Sequence, residues 1–351
     1  MSLAELRIQN LRCIESAALE LAPDLNLISG PNGAGKTSIL EAVFLLGRGR
    51  SFRTRSTERL IRHGQPTLTV FGRTGEVPEH AAGVEVSREG TRARIDATAA
   101  ESLLALSGFL PVQSIDPEIH KLIDQGPERR RRWMDWLVFH VEPSFAMHWT
   151  RYQRALRQRN AALRSGDPGF AAWDALLVEH GDVITAQRRA VLTRLQPYFS
   201  ALLGKFSALE LSASFHSGWS QDHSLLEALR LGIDRDRERG TTNSGPHRAD
   251  LHLRVKGRTA RETLSRGQQK LAAVAMIVSQ MQMLKAERAV RAVLLLDDPA
   301  AELDRRNLRK LIEELATLDS QMIATSLTPE IALFQAPSAT FHVEQGRVLR
   351  L

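Results

Sequence analysis

Apolar residues near both ends of the chain follow the patterns of β-strands. Alternation over Glu5–Leu21 predicts two antiparallel strands, and Leu25–Ile28 and Ala292–Leu296 are short apolar runs typical of buried strands. Further strand patterns lie at Thr67–Gly72, Gly83–Ser87, Thr91–Asp96, Leu209–Phe215, Leu251–Val255, Gln321–Thr325 and Ala339–Leu351. Most sheet-forming segments therefore lie towards the two ends of the sequence.

Helical spacing of apolar residues dominates the middle of the chain. Ser144–Ser165 and Phe170–Gln196 are joined by the turn Gly166–Gly169, which predicts an antiparallel helical hairpin. Other helices are predicted at Ser38–Leu46, from Pro127 onward, at Ser224–Arg239, from Leu264 to Leu284 and at Arg305–Leu318. The pattern predicts an α/β fold in which residues 1–110 and 245–351 form one split domain and residues 111–244 form an inserted helical arm.

Composition places the chain among globular proteins and narrows its partners. Of 351 residues, 43% are hydrophobic and 25% are charged, as in soluble globular proteins. Lys and Arg number 47 against 40 Asp and Glu, and this excess permits a polyanionic partner. Cys13 is the only cysteine, so an intrachain disulfide and a cysteine metal cluster are excluded. No apolar run is long enough to span a bilayer and Met1–Leu11 has no signal-peptide core, so we expect a cytoplasmic location.

A phosphate-binding loop follows the first buried strand. Residues 30–37 fit the pattern G-x-x-x-x-G-K-S/T, with a strand pattern before the loop and a helix pattern after it. Backbone N–H groups and the positive end of the helix dipole would surround an anion there; Lys36 would reach the terminal phosphates, and the Thr37 hydroxyl would hold Mg²⁺. The predicted nucleotide contacts are Gly30, Pro31, Asn32, Gly33, Ala34, Gly35, Lys36, Thr37 and Ser38.

Two carboxylates end the second apolar run. Asp297 and Asp298 follow directly on Leu294–Leu296, which is the arrangement that a phosphate loop needs in a partner strand. We assign Asp297 to Mg²⁺ and its water shell, and Asp298 to polarising the water that attacks the γ-phosphate. The alternative is that either carboxylate caps the following turn.

Leu264–Gln268, with the sequence Leu-Ser-Arg-Gly-Gln, is a second turn suited to phosphate. The Ser265 hydroxyl and the Gly267 N–H at a helix N-terminus make an anion site, although so short a run is also typical of an ordinary helix cap. One chain cannot easily bring both turns to one nucleotide if they lie on opposite lobes. Two chains arranged head to tail can, with ATP bound between them.

Three arginine-rich segments have two interpretations each. The loop Gly47–Arg55 is either a solvated loop or a contact to phosphates of nucleotide or nucleic acid. Arg129–Arg132 is either a solvated or intrachain-paired helix face or a contact to the DNA backbone, and the same alternatives apply to Arg151–Arg164. His247 and Arg248 either line the nucleotide or a lobe junction, or have a plain core role.

Taken together, these motifs resemble those of ABC-type ATPases of the structural-maintenance branch. Gly30–Thr37 looks like the Walker A motif, Leu264–Gln268 like the signature, Leu294–Asp298 like Walker B, and Glu302–Asp304 like the D-loop. Finer matches resemble a bacterial DNA replication and repair family within that branch, and they run from end to end of the chain. They are Asn26–Arg55, Gly126–Arg131 with Asp135, Arg157–Leu163, Gly245–Asp250, Ser265–Gln268 and Phe341–Gly346.

The resemblance implies an ABC-type P-loop ATPase head, with a mixed sheet and an antiparallel sheet, and an inserted helical arm. It implies a monomer that dimerises on ATP with Mg²⁺, clamps duplex DNA near single-strand gaps, and hydrolyses ATP slowly when DNA is bound. RecR and RecO are the implied partners in loading RecA recombinase at gaps and stalled forks. The implied place of action is the nucleoid, with no membrane involved.

Residue by residue, the resemblance implies that Gln113 lies near Mg²⁺ and acts in catalysis with Lys36 and Asp298. The residues implied to act on the nucleotide of the other chain, or to signal across the dimer, are Ser265, Gly267, Gln268 and Asp304. Asp298 stands where many ABC ATPases have the longer glutamate, so we expect slow turnover. Thr325 and Ser326 stand where many relatives have a switch histidine, which leaves the γ-phosphate sensor open.

Three other functions share part of this pattern. The nucleotide-binding subunit of a membrane transporter has the same ATP site, but here the interval between Lys36 and Ser265 holds a basic helical arm. A long-armed chromosome organiser needs a heptad coiled coil far longer than the predicted hairpin. A small-molecule kinase has no use for the turn at Ser265.

Overall fold

The structure is a computed structural model that describes residues 2–54, 56–206, 210–299, 304–328 and 337–351. The chain divides into two compact units, Met1–Ile119 with Ala273–Leu351, and His120–Ala272. These borders lie later in the sequence than the predicted ones, after residue 119 instead of 110 and after residue 272 instead of 244.

The first unit contains a six-stranded antiparallel sheet. In spatial order its strands are β2 (Ile14–Glu20), β1 (Leu3–Leu11), β4 (Thr67–Thr74), β5 (Ala81–Ser87), β6 (Gly90–Ile95) and β7 (Thr98–Ala99). The alternation predicted over Glu5–Leu21 is observed as the antiparallel pairing of β1 with β2, in which Leu6 lies opposite Leu19. Both leucines are buried because alternate side chains of a strand share one face.

A six-stranded mixed sheet forms the second sheet of this unit. In spatial order its strands are β15 (Arg347–Arg350), β14 (Ala339–Glu344), β3 (Leu25–Ser29), β13 (Met322–Ser326), β12 (Val293–Leu296) and β8 (Val112–Ile115). Neighbouring strands pair in parallel except for β14 with β15. Strands β3 and β12 are buried along their whole length, as expected for the interior of a parallel sheet.

Helix α1 (Lys36–Arg48) packs into the hydrophobic core that the two sheets share. Its side chains in this core are Ile39, Leu40, Ala42, Val43, Phe44, Leu45 and Leu46. Burying one such side chain contributes about 1.5–3 kcal/mol, so this packing holds the start of the helix and the loop before it. The other elements of the first unit are α2 (Ala105–Phe109), α11 (Arg305–Ala316) and a 3-10 turn at Thr57–Leu60.

The second unit is mostly helical. Its helices are α3 (Lys121–Asp124), α4 (Pro127–Val141), α5 (Phe145–Ser165), α6 (Asp174–Phe206), α7 (Leu225–Leu231), α8 (Ile233–Arg239) and α9 (Ala260–Thr263), with 3-10 turns at Pro168–Trp173 and Pro246–Arg248. A small antiparallel sheet contains β11 (Arg258–Thr259), β10 (Asp250–Val255) and β9 (Leu211–His216), in that order. Helix α10 (Arg266–Arg288) begins in this unit, and the border falls within it.

The predicted helical hairpin is observed as α5 packed on α6. Helix α5 is followed by Gly166, whose φ of 70° is the left-handed conformation that glycine favours after a helix. Arg159 of α5 is completely buried and its guanidinium bonds Asp174 and Asp236, each at 2.7 Å. Breaking one member of a buried ion pair costs about 3–5 kcal/mol, so these contacts hold the hairpin to its neighbours.

Two predicted helices differ from the observed ones. The segment Ser224–Arg239 forms two helices instead of one, because Gly232 ends α7 and starts α8. Helix α6 starts after a 3-10 turn and continues past the predicted end at Gln196, with Pro197 inside it. The buried side chains of Phe199, Leu202 and Phe206 offset the hydrogen bond that proline removes.

Strand pairing explains where the borders of the units lie. Strand β8 pairs with β12, so residues 112–115 belong to the mixed sheet and not to the arm. Strand β10 pairs with β9, so residues 250–255 belong with the second unit. Such pairings join segments far apart in sequence and leave no local periodicity. Among the described residues, no helix combines the length and the apolar character that a membrane crossing requires.

Candidate functional site

The loop between β3 and α1 has the backbone of a phosphate-binding turn. Gly30 has a φ of +149°, and a Cβ there would lie 2.2 Å from the carbonyl oxygen of Val343. Gly35 has a φ of +116°, and a Cβ there would lie 3.0 Å from the sulfur of Cys13. Only glycine fits these positions without strain. The loop ends at the N-terminus of α1, where the first backbone N–H groups have no partner within the helix.

Lys36, the first residue of α1, is buried and folded back onto the loop. Its Nζ donates to the carbonyl oxygens of Gly30, at 2.7 Å, and of Pro31, at 3.0 Å. Burial lowers the pKa of Lys36 below its ordinary value, while the negative charges of Asp298 and Asp297 oppose this shift. The lysine therefore lies at the loop, as predicted, in the electrostatic field of both predicted carboxylates.

Asp297 joins the carboxylate strand to the phosphate loop. The Thr37 hydroxyl donates to its carboxylate oxygens, at 3.0 Å to Oδ1 and 3.2 Å to Oδ2. The backbone N–H of Asp297 donates to the carbonyl oxygen of Ile115 in β8, at 3.0 Å. Because β3, β13, β12 and β8 run parallel, their carboxyl ends meet at one edge, and this edge is where the loop begins.

Asp298 follows with an unusual backbone conformation. Its φ is +47°, in the left-handed region that residues other than glycine seldom adopt. Its N–H donates to Oγ1 of Thr325 at 2.9 Å, and the same hydroxyl donates to Oδ1 of Asp297 at 2.9 Å. Thr325, at the end of β13, is completely buried. The Asp297 carboxylate, the Thr325 hydroxyl and the Asp298 main chain are thus connected by hydrogen bonds.

Thr37 and Asp297 fit the chemistry of Mg²⁺. Both supply oxygen ligands, which Mg²⁺ prefers, and Mg²⁺ is commonly held by one or two carboxylates together with phosphate oxygens and water. The described residues contain no group of three or more His, Cys, Asp and Glu side chains able to hold a metal ion without such help. The site is therefore suited to a metal ion that arrives with a phosphate ligand.

The side chain of Gln113 is hydrogen-bonded to residues other than Thr37 and Asp297. It lies in β8 with a buried side chain whose Nε2 donates to Oε1 of Gln280, at 2.7 Å, and whose Oε1 accepts from Arg48, at 3.4 Å. The residue of β8 beside Leu296 is Ile115, so Gln113 lies two positions before the edge that carries Asp297. Its role beside Mg²⁺ stays a prediction, and its hydrogen bonds in this structure do not run to the predicted metal ligands.

The turn at Ser265 caps helix α10. Oγ of Ser265 accepts from the N–H of Gln268 at 3.3 Å, and the N–H of Ser265 donates to Oε1 of Gln268 at 2.9 Å. These reciprocal bonds are the geometry of a capping box. The side chains of Ser265 and Gln268, and Gly267 between them, are exposed. The helix-cap interpretation is thus observed, and exposure leaves this helix N-terminus accessible to another molecule.

Asp304 is the N-cap of α11. Its Oδ1 accepts from the N–H of Asn307 at 3.0 Å, and this bond is the first cause that lowers the pKa of its carboxyl below the ordinary value. The side chain is exposed. Glu302 and Leu303, the other predicted D-loop residues, lie outside the described residues.

The arginine cluster Arg129–Arg132 is engaged within its own unit. Arg130 is buried and forms a bidentate pair with Asp250, at 2.7 and 2.9 Å. The other bonds join Arg129 to Gln125, Arg131 to the carbonyl oxygen of Ala249, and Arg132 to Glu128. Of the two interpretations of this segment, the structure therefore shows the intrachain-paired helix face.

Helix α5 differs from α4 in that most of its arginines are exposed. Arg159 is buried in the ion pairs described above, whereas Arg151, Arg154, Arg157 and Arg164 are exposed. At 100° per residue these four lie on the side of the helix opposite the buried Tyr152, Ala155, Leu156 and Leu163. The helix contains no Asp or Glu. The charged residues of its outer face are therefore all basic, and the interpretation as a phosphate contact remains open for it.

Two buried networks were not visible in the sequence patterns. Glu41 of α1 is completely buried and accepts hydrogen bonds from Arg12 and Ser51, each at 2.5 Å at its shortest, which ties the turn after β1 to the helix after the phosphate loop. His247 accepts from the Tyr152 hydroxyl at 2.7 Å, and burial lowers its pKa to about 4. His247 thus has the core role.

The arginine-rich loop is partly structural as well. Arg48 lies in α1, and its guanidinium donates to the carbonyl oxygen of Val112 at 3.0 and 3.2 Å. Arg53 lies 3.7 Å from the carboxylate of Glu41. Arg55 lies outside the described residues. The segment is thus anchored to the core on one side, while Arg53 keeps half of its side chain exposed.

Comparison with known proteins identifies a family model, sequence relatives and solved structures that are similar to this chain. The family model described as RecF/RecN/SMC N terminal domain matches residues 2–347. The DNA replication and repair protein RecF of Pseudomonas fluorescens is 39% identical over 359 residues, which is 99% of this chain and 98% of that protein. A solved structure of the recombination mediator protein RecF with ATP, in the RecFOR pathway, has a TM-score of 0.90 at 26% identity and covers 100% of this chain and 97% of that chain.

The fold extends to a further group of ATPase heads. The Smc head domain of Pyrococcus furiosus has a TM-score of 0.59 at 15% identity and covers 100% of this chain and 96% of that chain, which shows a shared fold. The predicted ABC-type head, with its mixed and antiparallel sheets, is confirmed by these likenesses, and so is the predicted structural-maintenance branch. With the phosphate loop, the carboxylate strand and the end-to-end identity agreeing, the chain belongs to the RecF family of DNA replication and repair proteins.

Proposed function

We propose that this protein is an ATP-dependent DNA-binding clamp of recombinational repair and a weak, DNA-dependent ATPase. The observation that carries the proposal is the hydrogen bond from Thr37 to Asp297, because it joins the phosphate loop and the carboxylate strand in one site. The likeness to a RecF structure that holds ATP supports the choice of nucleotide.

Within this site the side chains divide the work. Lys36 exchanges the carbonyl oxygens of Gly30 and Pro31 for phosphate oxygens, and the added negative charge raises its pKa and keeps it protonated. Thr37 and Asp297 would hold Mg²⁺, which would neutralise charge on the phosphates. Asp298 orients the attacking water and accepts its proton, while the water oxygen bonds to the γ-phosphorus and the bond from that phosphorus to the bridging oxygen of ADP breaks.

The exposed turn at Ser265 supports a dimer arranged head to tail. Ser265, Gly267 and the N-terminus of α10 can close on the γ-phosphate held by the loop of a second copy. Two copies related by a two-fold axis then build two equal sites, each with Lys36 from one chain and Ser265 from the other. ATP acts as the adhesive, and hydrolysis releases the dimer.

The exposed face of α5 is the DNA contact that the structure favours over Arg129–Arg132. Arg151, Arg154, Arg157 and Arg164 line this face, which we name the α5 arginine face, and no acidic residue of the helix offsets them. Guanidinium groups neutralise backbone phosphates without reading base sequence. The proposed DNA is duplex near a single-strand gap, bound in the cytoplasm at the nucleoid, where the protein acts with RecR and RecO in loading RecA.

The transporter-subunit alternative is not favoured. The relatives described above are RecF proteins of DNA replication and repair, which cover the chain from end to end, including the basic arm. An ATPase that remains with membranes in cell fractionation and does not respond to DNA would reverse this preference.

Light scattering after size-exclusion chromatography tests the ATP-dependent dimer. The native protein is expected to run as a monomer without nucleotide and as a dimer with ATP and Mg²⁺, more so with gapped duplex. Lys36→Met should bind no ATP and stay monomeric. Ser265→Arg should bind ATP as tightly as the native protein does yet stay monomeric, because the change affects the site of the other chain. Normal dimerisation of Ser265→Arg would refute the head-to-tail arrangement.

A further inference from the structure

Thr325 has a place in the site that no motif assigns to it. It lies in β13, where Ala324 pairs with Leu296 of β12 and Thr325 pairs with Ile28 of β3. Thr325 is therefore one position nearer the carboxyl edge than the last residue of β12, level with Asp297. Its side chain is completely buried, so its hydroxyl must find partners inside the protein.

The direction of its hydrogen bonds is fixed by chemistry. A carboxylate only accepts and a backbone N–H only donates, so the Thr325 hydroxyl donates its proton to Oδ1 of Asp297 and accepts from Asp298, each at 2.9 Å. Thr37 donates to the same Oδ1 at 3.0 Å. Asp297 is thus oriented by two hydroxyl groups, one from the phosphate loop and one from β13.

Asp298 is held through its backbone. At a φ of +47° its main chain is in a region that disfavours residues with a Cβ, and such conformations persist only where the surroundings hold them. The bond from its N–H to Thr325 is one of these holding contacts. One hydroxyl thus sets the side chain of the first carboxylate and the main chain of the second.

We propose that Thr325 is a positioning residue of the nucleotide site, which aligns Asp297 with the Mg²⁺-bound nucleotide and Asp298 with the attacking water. It acts through these two carboxylates and does not itself touch a phosphate. This inference rests on the proposed function, because it requires that Mg²⁺ and ATP bind at the loop 30–37. Thr325 would thus have a role at the end of β13, where Thr325 and Ser326 stand in place of the switch histidine of many ABC ATPases.

The test replaces Thr325 by valine, which keeps the shape and removes the hydroxyl, and by serine, which keeps the hydroxyl. Binding of a fluorescent, non-hydrolysable ATP analogue is measured in EDTA and over a Mg²⁺ titration, and kcat and KM are measured with gapped duplex. Thr325→Val should bind the analogue in EDTA within about twofold of native, because its loop is intact. It should need about tenfold more Mg²⁺ for half-saturation and lose about 10–100-fold in kcat, as metal-orienting residues do. Thr325→Ser should stay within about threefold of native in both.

Thr185→Val is the matched control, since Thr185 of α6 is also buried and its hydroxyl donates to the carbonyl oxygen of Gly181, at 2.8 Å, outside the nucleotide site. It should leave the Mg²⁺ requirement and kcat near native. Thermal unfolding without nucleotide shows whether each variant is folded, and Thr325→Ala replaces the valine variant if the latter is not. A valine variant with native Mg²⁺ requirement and kcat, or a serine variant as impaired as valine, overturns the proposal. A native protein that binds no analogue, or a Lys36→Met variant that binds it normally, instead refutes the proposed function.

Discussion

The conformation and electrostatics of single residues in the nucleotide site depend on their neighbours as well as on the residue type. Asp298 is one methylene shorter than the glutamate common in ABC ATPases. Its left-handed backbone, with a φ of +47°, sets the direction in which its carboxylate extends from the main chain. The same carboxylate raises the pKa of Lys36 against the effect of burial, so the two groups interact electrostatically. A base that is both short and constrained agrees with the slow ATP hydrolysis that we propose for this protein.

Asp298→Asn tests this role because asparagine keeps the size of the side chain and removes its charge. The variant should bind ATP and dimerise, and it should lose about 10²–10⁴-fold in hydrolysis, the usual contribution of a general base. Its dimer on gapped duplex should outlive the native dimer when free ATP is removed, as followed by light scattering. Asp319→Asn, at a surface carboxylate paired with Arg291 at 2.6 Å, is the control and should behave as native. A variant that stays monomeric, or hydrolyses ATP normally, would contradict the assignment.

At the scale of elements, helix α5 carries both a buried structural arginine and a set of exposed arginines. Arg159 is completely buried and joins the helix to Asp174 and Asp236, whereas the α5 arginine face is exposed. Helix α4 shows the opposite use of arginine, because Arg130 and Arg131 bond Asp250 and Ala249 within the unit. The two helices are similarly basic in sequence, but the α4 arginines have hydrogen-bond partners within their unit, whereas the α5 arginine face lies on a helix without Asp or Glu.

The double variant Arg154→Gln with Arg157→Gln tests the α5 arginine face. If both side chains neutralise DNA phosphates, the slope of the logarithm of affinity against the logarithm of salt should fall by about 2, with weaker binding to every sequence alike. Fluorescence anisotropy with a gapped duplex over a salt titration measures this slope. Arg88→Gln with Arg92→Gln removes the same charge from the exposed end of β5 and β6 and should leave the slope nearly native. Equal effects of the two double variants would show a nonspecific dependence on net charge.

At the scale of the whole molecule, the proposed dimer makes each site the joint property of two chains. The first unit supplies the loop 30–37 and the carboxylates, and Ser265 comes from the second unit of another copy. A two-fold axis makes the two sites equal, so a lesion on either side of the interface disables both sites of a homodimer.

Mixing two inactive variants tests this arrangement. In a heterodimer of Lys36→Met and Ser265→Arg, one site combines both lesions and the other combines the intact Lys36 with the intact Ser265. The mixture should therefore recover ATP hydrolysis, up to about a quarter of the native rate per chain if chains pair at random. Each variant alone, measured at the same total concentration with gapped duplex, is the control. A mixture no more active than its components would argue against sites shared between chains.

The sequence by itself determined the α/β elements, the phosphate loop, the carboxylate strand and the helix-capping turn, because each of these depends on residues that are near one another in the chain. Helix α1 and the strands β3, β12 and β13 lie where periodicity predicted them, to within a few residues. The family was also indicated by the resemblance of the motifs to those of known relatives, and comparison with known proteins confirmed it.

Only the tertiary structure decided which polar side chains are already engaged. Arg130 meets Asp250, Gln113 meets Gln280 and Thr325 meets Asp297, and each pair joins segments that strand pairing or helix packing brings together. The amide of Gln113 donates to Gln280 of α10, and the arginines of α4 form hydrogen bonds within their own unit. From the sequence, both had been considered as functional contacts. The physical reason is that a buried polar group must be paired, and its partner is set by packing between distant segments, which local sequence patterns do not record.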